Sequence, residues 1–195
     1  MQLSKSDIAS SIERLRDDVD YYGTFGKQFL SNSDVGALLS NPREFRVSRP
    51  DNQAFAKGRY FHQSLLEPEK LKDWEFVDSY SRNTNVYKQA VAESGKEVLM
   101  LNKEKEEMDA LVEIMTSNFE LYEQMYLNGN KFEVPGVKQF NGVWWKGKAD
   151  IISNDCIIDL KTTSNILDFR YSAKKYNYDS QCYIYQNIFG KPLVF

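Results

Sequence analysis

Two aspartates and a lysine late in the chain have the types and spacing to hold a hard cation beside a phosphodiester. They lie in residues 146–161, KGKADIISNDCIIDLK, which read as two short strands around a tight turn. With Asn154-Asp155 as the turn, Ser153 faces Cys156, Ile152 faces Ile157 and Ile151 faces Ile158. Asparagine tolerates the positive φ that a two-residue turn needs. Asp150 then falls opposite Asp159, and such neighbours have Cβ atoms about 4.5–5.5 Å apart. Lys161, two residues on, shares the face of Asp159, while Leu160 turns to the core. Oxygen ligands without His or Cys suit Mg²⁺ or Mn²⁺. Such an ion holds a phosphate and lowers the pKa of water, and the lysine can orient that water or stabilise developing charge. Without a metal the two acids repel, which favours a proton on one of them. Asp-x-Lys is a common tripeptide, so a surface hairpin with a Lys161 salt bridge explains the same residues.

Composition narrows the remaining classes. The 195 residues are 42% hydrophobic and 27% charged, ordinary for a soluble globular protein and enough for one domain with a real core. No run of about 18 apolar residues suggests a membrane span, and the N-terminal residues lack the apolar centre of a signal peptide. Cys156 and Cys182 lack metal-type spacing and point to a reducing compartment. The one histidine, His62, excludes a His-rich zinc site. A net charge of −3 argues against a broad basic surface but leaves room for a narrow basic channel beside acids. No Gly-rich phosphate loop of the P-loop type occurs, which disfavours a nucleotide triphosphatase.

The elements that must position these residues follow from periodicity. Helices are predicted over 6–18, from the Ser31/Asp34 capping box to Pro42, over 52–66, and over 85–94 with a stop at Gly95. A short helix follows Pro68, and residues 102–127 read as the longest helix. Strands are predicted at 73–80, 97–101, 131–134 and 137–145, the last leading into the hairpin. Helices over 166–175 and 179–189, the second stopped by Gly190, precede a strand beginning at Pro192. The expected fold is a single α/β domain over 1–195, a small mixed sheet flanked by helices, with 1–28 as a helical extension.

The ordered set Gly58-x-x-x-His62, Asp150, Asp159-x-Lys161, Gln181-x-x-x-Tyr185 resembles the PD-(D/E)XK nuclease superfamily. It is most similar to the RecB-type and exodeoxyribonuclease VIII-type branch, which includes phage recombination exonucleases. The resemblance spans roughly residues 29–195, from LSNSDVGALLSNPREF through GRYFHQSLLEP and the hairpin to YNYDSQCYIYQ. It implies a restriction-endonuclease-like core and a Mg²⁺-dependent (or Mn²⁺-dependent) exodeoxyribonuclease. Asp150 and Asp159 would be metal ligands, Lys161 the catalytic lysine and His62 a further ligand or phosphate contact. Gln181 and Tyr185, one helical turn apart, would be catalytic residues reaching the hairpin or the DNA backbone. The implied substrate is double-stranded DNA ends, cut 5′ to 3′ in phage recombination or replication. The implied setting is the cytoplasm of a host, as a homo-oligomer with a single-strand annealing protein as partner and no membrane. A structure-selective endonuclease or nickase and a non-catalytic DNA-end-binding module remain alternatives.

The sequence departs from the family pattern in three places. Ala149 stands where Pro precedes the aspartate, which this branch tolerates. Glu133 is a candidate for the additional acid that some relatives use near a second metal, with a strand simply closing at Val134-Pro135 the favoured alternative. The chain stops at LVF where relatives continue, so a minimal or a truncated form is expected. Arg59, Arg82, Lys88 and Lys57 are candidate phosphate contacts. Tyr178 and Trp144 or Trp145 are candidate base-stacking residues, with core packing the alternative for the tryptophans.

Overall fold

The computed structural model describes residues 4–48 and 50–195, so residues 1–3 of the expected N-terminal extension lie outside the described residues. By its internal contacts the chain forms two compact units. One comprises the chain up to Val47 together with Asn128–Phe195, and the other is Ser48–Leu127.

The first unit opens with α1 (Lys5–Arg14), started by a Ser4/Asp7 capping box. The helix expected to reach residue 18 stops sooner. The Asp17 carboxylate accepts from the N–H groups of Val19 and Asp20 and starts a separate α2 (Asp18–Tyr22). That break lets both Leu15 and Tyr21 enter one core cluster with Phe29 and Val137. Leu30 then lies along the sheet, donating to Trp144 O (2.9 Å) and accepting from Lys146 N (2.8 Å). The predicted capping box at Ser31 and Asp34 starts α3 (Asn32–Ser40).

The second unit contains α4 (Gln53–Leu66), capped by the Asn52 side chain, and a 3₁₀ turn at Pro68–Asp73. Its sheet is small. β1 (Phe76–Val77) pairs in parallel with β2 (Met100–Leu101), shorter than either predicted strand. Between them α5 (Asn85–Ser94) ends at Gly95 with φ of +68°, as predicted. The helix predicted over 102–127 is two helices, α6 (Asn102–Ser117) and α7 (Phe119–Tyr126). Asn118 separates them because its side chain accepts from Leu121 N (3.1 Å) and caps the second.

The first unit resumes with β3 (Lys131–Phe140) and β4 (Val143–Ile152), joined at Asn141-Gly142. The separate strand predicted over 137–145 is therefore corrected. Both turn residues have positive φ, +51° and +78°, the conformation that Asn-Gly favours in two-residue hairpins. β5 (Ile157–Ile158), α8 (Phe169–Lys175), α9 (Tyr178–Phe189) and β6 (Leu193–Val194) follow. The strand order is β3-β4-β5-β6, antiparallel except for the parallel β5–β6 pair. The expected small mixed sheet flanked by helices is what forms. β3 is an edge strand, where Pro135 is tolerated. α9 lies over the middle of β3 and β4, with Ile184, Tyr185, Ile188 and Phe189 against Ala149 and Ile157.

Close approach of α9 depends on the absence of side chains at Gly136 and Gly147, which pair across the two strands. A Cβ at Gly136 would stand 2.5 Å from Ile188 Cγ2 and 2.6 Å from the Phe189 ring. Gly136→Ala is expected to lower unfolding free energy by about 1–3 kcal/mol through overpacking, measured by urea denaturation.

Candidate active site

The hairpin turns at Asn154-Asp155, as the sequence pattern requires. Ile151 pairs with Ile158 and Ile152 with Ile157. Ser153 N donates to Cys156 O at 2.9 Å, and the Ser153 hydroxyl accepts from Cys156 N at 3.0 Å. The second strand is shorter than expected and stops at Ile158, so Asp159 and Lys161 follow it rather than belong to it. Pairing with β4 ends there because the Leu160 N–H, next in line for that strand, donates to the Asp150 side chain, while Asp159 N continues the β6 ladder by donating to Val194 O (2.9 Å). Asp150 and Asp159 are thus linked through the main chain of Leu160, whose N–H donates to Asp150 Oδ2 at 2.8 Å.

Both aspartates are buried, and each has a distinct set of partners. Asp159 is 2% exposed. Its Oδ1 accepts from Gln181 Nε2 at 2.7 Å. Its Oδ2 is in ion contact with Lys161 Nζ, but no hydrogen is directed at it with hydrogen-bond geometry. Burial pushes the Asp150 carboxyl well above the usual carboxylate range, and the charge of Asp159 adds to this. The Leu160 N–H and Lys161 act in the opposite sense.

Glu133 lies opposite Asp150. Regular pairing runs on either side of it, Phe132 with Ile151 and Val134 with Ala149, and skips these two residues. Glu133 has φ of +48° within a strand, a left-handed conformation that costs a non-glycine residue about 1–2 kcal/mol. Its carboxylate and that of Asp150 approach within 4.8 Å. An oxygen-only pair at this spacing, beside a buried carboxylate oxygen lacking a directed hydrogen, fits a hard divalent cation.

The α9 residues support the hairpin. Gln181 holds Asp159, and the Tyr185 hydroxyl donates to Lys148 O at 2.9 Å, two residues before Asp150. Both side chains are therefore engaged with the hairpin, one on a carboxylate and one on the main chain. Lys148 itself pairs with Asp18 Oδ1 at 2.5 Å and lies 4.8 Å from the Tyr21 ring centroid. Lys146 is buried, donates to Tyr21 O, and its ammonium is pushed down to about 8 by burial. The alternation Lys146, Lys148, Asp150 was visible in the sequence. The role of Tyr21 was not, because its contact to this strand spans more than a hundred residues.

His62 lies on α4 of the other unit, half-buried beside Phe61. Arg59 is ion-paired with Asp51 at 2.5 Å and lies over Trp74. Arg82 grips buried Glu104 through two guanidinium nitrogens at 2.9 and 2.6 Å. That engagement ties the guanidinium to its own unit. Lys57 is paired with Glu107 at 2.7 Å, and Lys88 is exposed on α5. Trp144 packs on the Tyr21 cluster, and Trp145 stacks on Phe140 at 5.2 Å, so both tryptophans serve packing. Tyr178 opens α9 with its ring 5.2 Å from Lys161 Nζ.

The sign of the Asp150 effect can be measured on metal-stripped protein. Because folding raises its pKa, the stability it contributes is complete below the unfolded value near pH 3.9 and is lost as pH rises toward the folded value. Asparagine stays neutral and avoids that loss. In EDTA, Asp150→Asn is expected to melt above wild type at pH 8, with the difference closing toward pH 4, as followed by circular dichroism.

Comparison with known proteins extends the picture from site to chain. Residues 28–193 match the family model "PDDEXK-like domain of unknown function (DUF3799)". No curated protein matches significantly. Among solved structures, the fold is similar to the crystal structure of a "putative exonuclease" from Eubacterium rectale, with a TM-score of 0.54 and 18% identity. That superposition covers 99% of this chain and 71% of the other.

Proposed function

The chain belongs to the PDDEXK-like DUF3799 family, and from that membership and the hairpin's geometry we propose that it is a divalent-metal-dependent deoxyribonuclease. The observation that carries this reading is the meeting of Glu133 and Asp150 beside the Asp159–Lys161 pair. Three carboxylates and one lysine at one end of a buried hairpin are costly to fold and have no packing value.

Glu133, Asp150 and Asp159 would hold the cation, with Mg²⁺ or Mn²⁺ favoured by the predominance of carboxylate oxygens. When bound, the cation polarises the scissile phosphate and lowers the pKa of water. Lys161 is placed to neutralise charge that develops on the phosphate oxygens. Gln181 fixes the rotamer of Asp159, and Tyr185 fixes the strand that presents Asp150. We assign His62 as a further ligand or phosphate contact on the strength of the family resemblance. On the same ground the proposed action is exonucleolytic, 5′ to 3′, on double-stranded ends in phage recombination, by an oligomer working with an annealing protein. The Eubacterium rectale neighbour's name agrees with the exonuclease part of this reading.

Incubation with Mg²⁺ and end-labelled linear duplex is expected to release label from 5′ ends while leaving covalently closed circles intact. Lys161→Ala is expected to reduce the rate by about 10²–10³-fold, the usual loss for one charge-stabilising group. Cutting of closed circles would replace the exonuclease reading with an endonuclease, and absence of divalent-dependent cleavage of any DNA would overturn the nuclease. Glu133→Gly provides a separate check. It relieves the left-handed backbone, so metal-free stability should hold or rise by about 1 kcal/mol, while the rise in melting temperature on adding Mn²⁺ is lost.

A further inference from the structure

Resting on the nuclease reading, we infer that the surface formed by residues 161–178 and Phe195 binds a single strand of DNA and delivers it to the Asp159–Lys161 pair. Three rings lie in series there. Tyr176 and Tyr178 stack at 6.2 Å and 28°, and Tyr178 and Phe195 at 4.7 Å and 28°. The candidate catalytic lysine lies beside the middle of the series, its Nζ 5.2 Å from the Tyr178 centroid and 5.7 Å from that of Phe195. The Tyr176 end of the series opens to solvent, 55% exposed. Tyr178 and Phe195 also pack on Phe169, at 5.9 and 6.2 Å, whereas core packing does not account for a tyrosine as open as Tyr176.

The charge along the same segment is one-sided. Residues 162–178 carry Arg170, Lys174 and Lys175 against one carboxylate, Asp168, with Lys161 paired to Asp159 and Asp179 next in the chain. Asp168 is occupied by the Asn165 amide at 2.7 Å. Arg170 and Lys175 rest on tyrosine rings, Arg170 4.5 Å from the Tyr171 centroid and Lys175 5.3 Å from that of Tyr176. Exposed tyrosines interspersed with cations match a chain that offers bases and phosphates in alternation. A duplex offers only its phosphates to such a surface, because its bases are already stacked on one another. The occupant indicated is therefore an unpaired strand, recognised without sequence preference. A protein ligand would leave the excess positive charge unexplained unless it were strongly acidic.

The test is fluorescence anisotropy of fluorescein-labelled oligothymidylate, about 12 nucleotides long, in EDTA, with a duplex of equal length as comparator. The metal-free full chain is used so that binding is read without cleavage. Wild type is expected to bind the single strand, and Tyr176→Ala to weaken that binding about tenfold with duplex binding unchanged. Tyr176→Phe keeps the ring and should restore single-strand affinity. Lys174→Glu with Lys175→Glu should weaken both ligands and flatten the salt dependence. The proposal is overturned if wild type does not bind the strand, if Tyr176→Ala binds it like wild type, or if that variant loses strand and duplex equally. Mg²⁺-dependent cleavage with normal strand binding by Tyr176→Ala would remove this surface and leave the nuclease standing. Ring-dependent strand binding without cleavage in any divalent cation would remove the nuclease and leave the surface.

Discussion

Two like-charged carboxylates buried at the end of one hairpin set the terms for the rest of their unit. Burial and mutual repulsion both oppose ionisation of Asp150, so the fold must bring compensating groups to each acid. A main-chain N–H is supplied by Leu160, an amide by Gln181 and an ammonium by Lys161. Even so, one oxygen of Asp159 has no directed hydrogen, and Glu133 adds a third carboxylate from a strained backbone. An arrangement that concentrates negative oxygen in a buried place, at a cost in stability, is what a cation site requires before its cation arrives.

The helix that satisfies these acids can do so only because the sheet beneath it is locally bare. Gly136 and Gly147 pair across β3 and β4, and α9 rests where their side chains would have been. Its apolar residues bury against the sheet while Gln181 and Tyr185 reach back to Asp159 and Lys148. Packing and polar chemistry therefore share one helix, and a shift in the first displaces the second. On the α1–α2 side, Tyr21 has the matching part, with its ring under two lysines and its carbonyl receiving Lys146.

Net charge is a poor guide to either unit. In the second unit, cations that looked available are neutralised internally: Arg82 by Glu104, Lys57 by Glu107 and Arg59 by Asp51. In the first, residues 162–178 keep an excess of positive charge among open rings. A chain of net −3 thus holds an acidic buried hairpin and a basic surface segment a few residues apart.

What the sequence determined by itself was local. The 154–155 turn, the capping box at Ser31, the Gly95 and Gly190 stops and the mixed α/β class all follow from neighbours within a few residues, where turn chemistry and periodicity act. The Asn141-Gly142 turn was equally local and was read through as strand, although its dipeptide carried the signal. The helix break at Asn118 was less legible, since an asparagine in a long apolar pattern can cap or be tolerated, and packing of α6 and α7 selects between them. Only the tertiary structure decided that β5 ends at Ile158, because the Leu160 N–H is taken by the Asp150 carboxylate instead of the β4 main chain. It likewise decided that Tyr185 binds a carbonyl and that Arg82 faces inward. Most of all it decided Glu133, whose meeting with Asp150 depends on an unfavourable φ that no propensity predicts and that only the surrounding fold can hold in place.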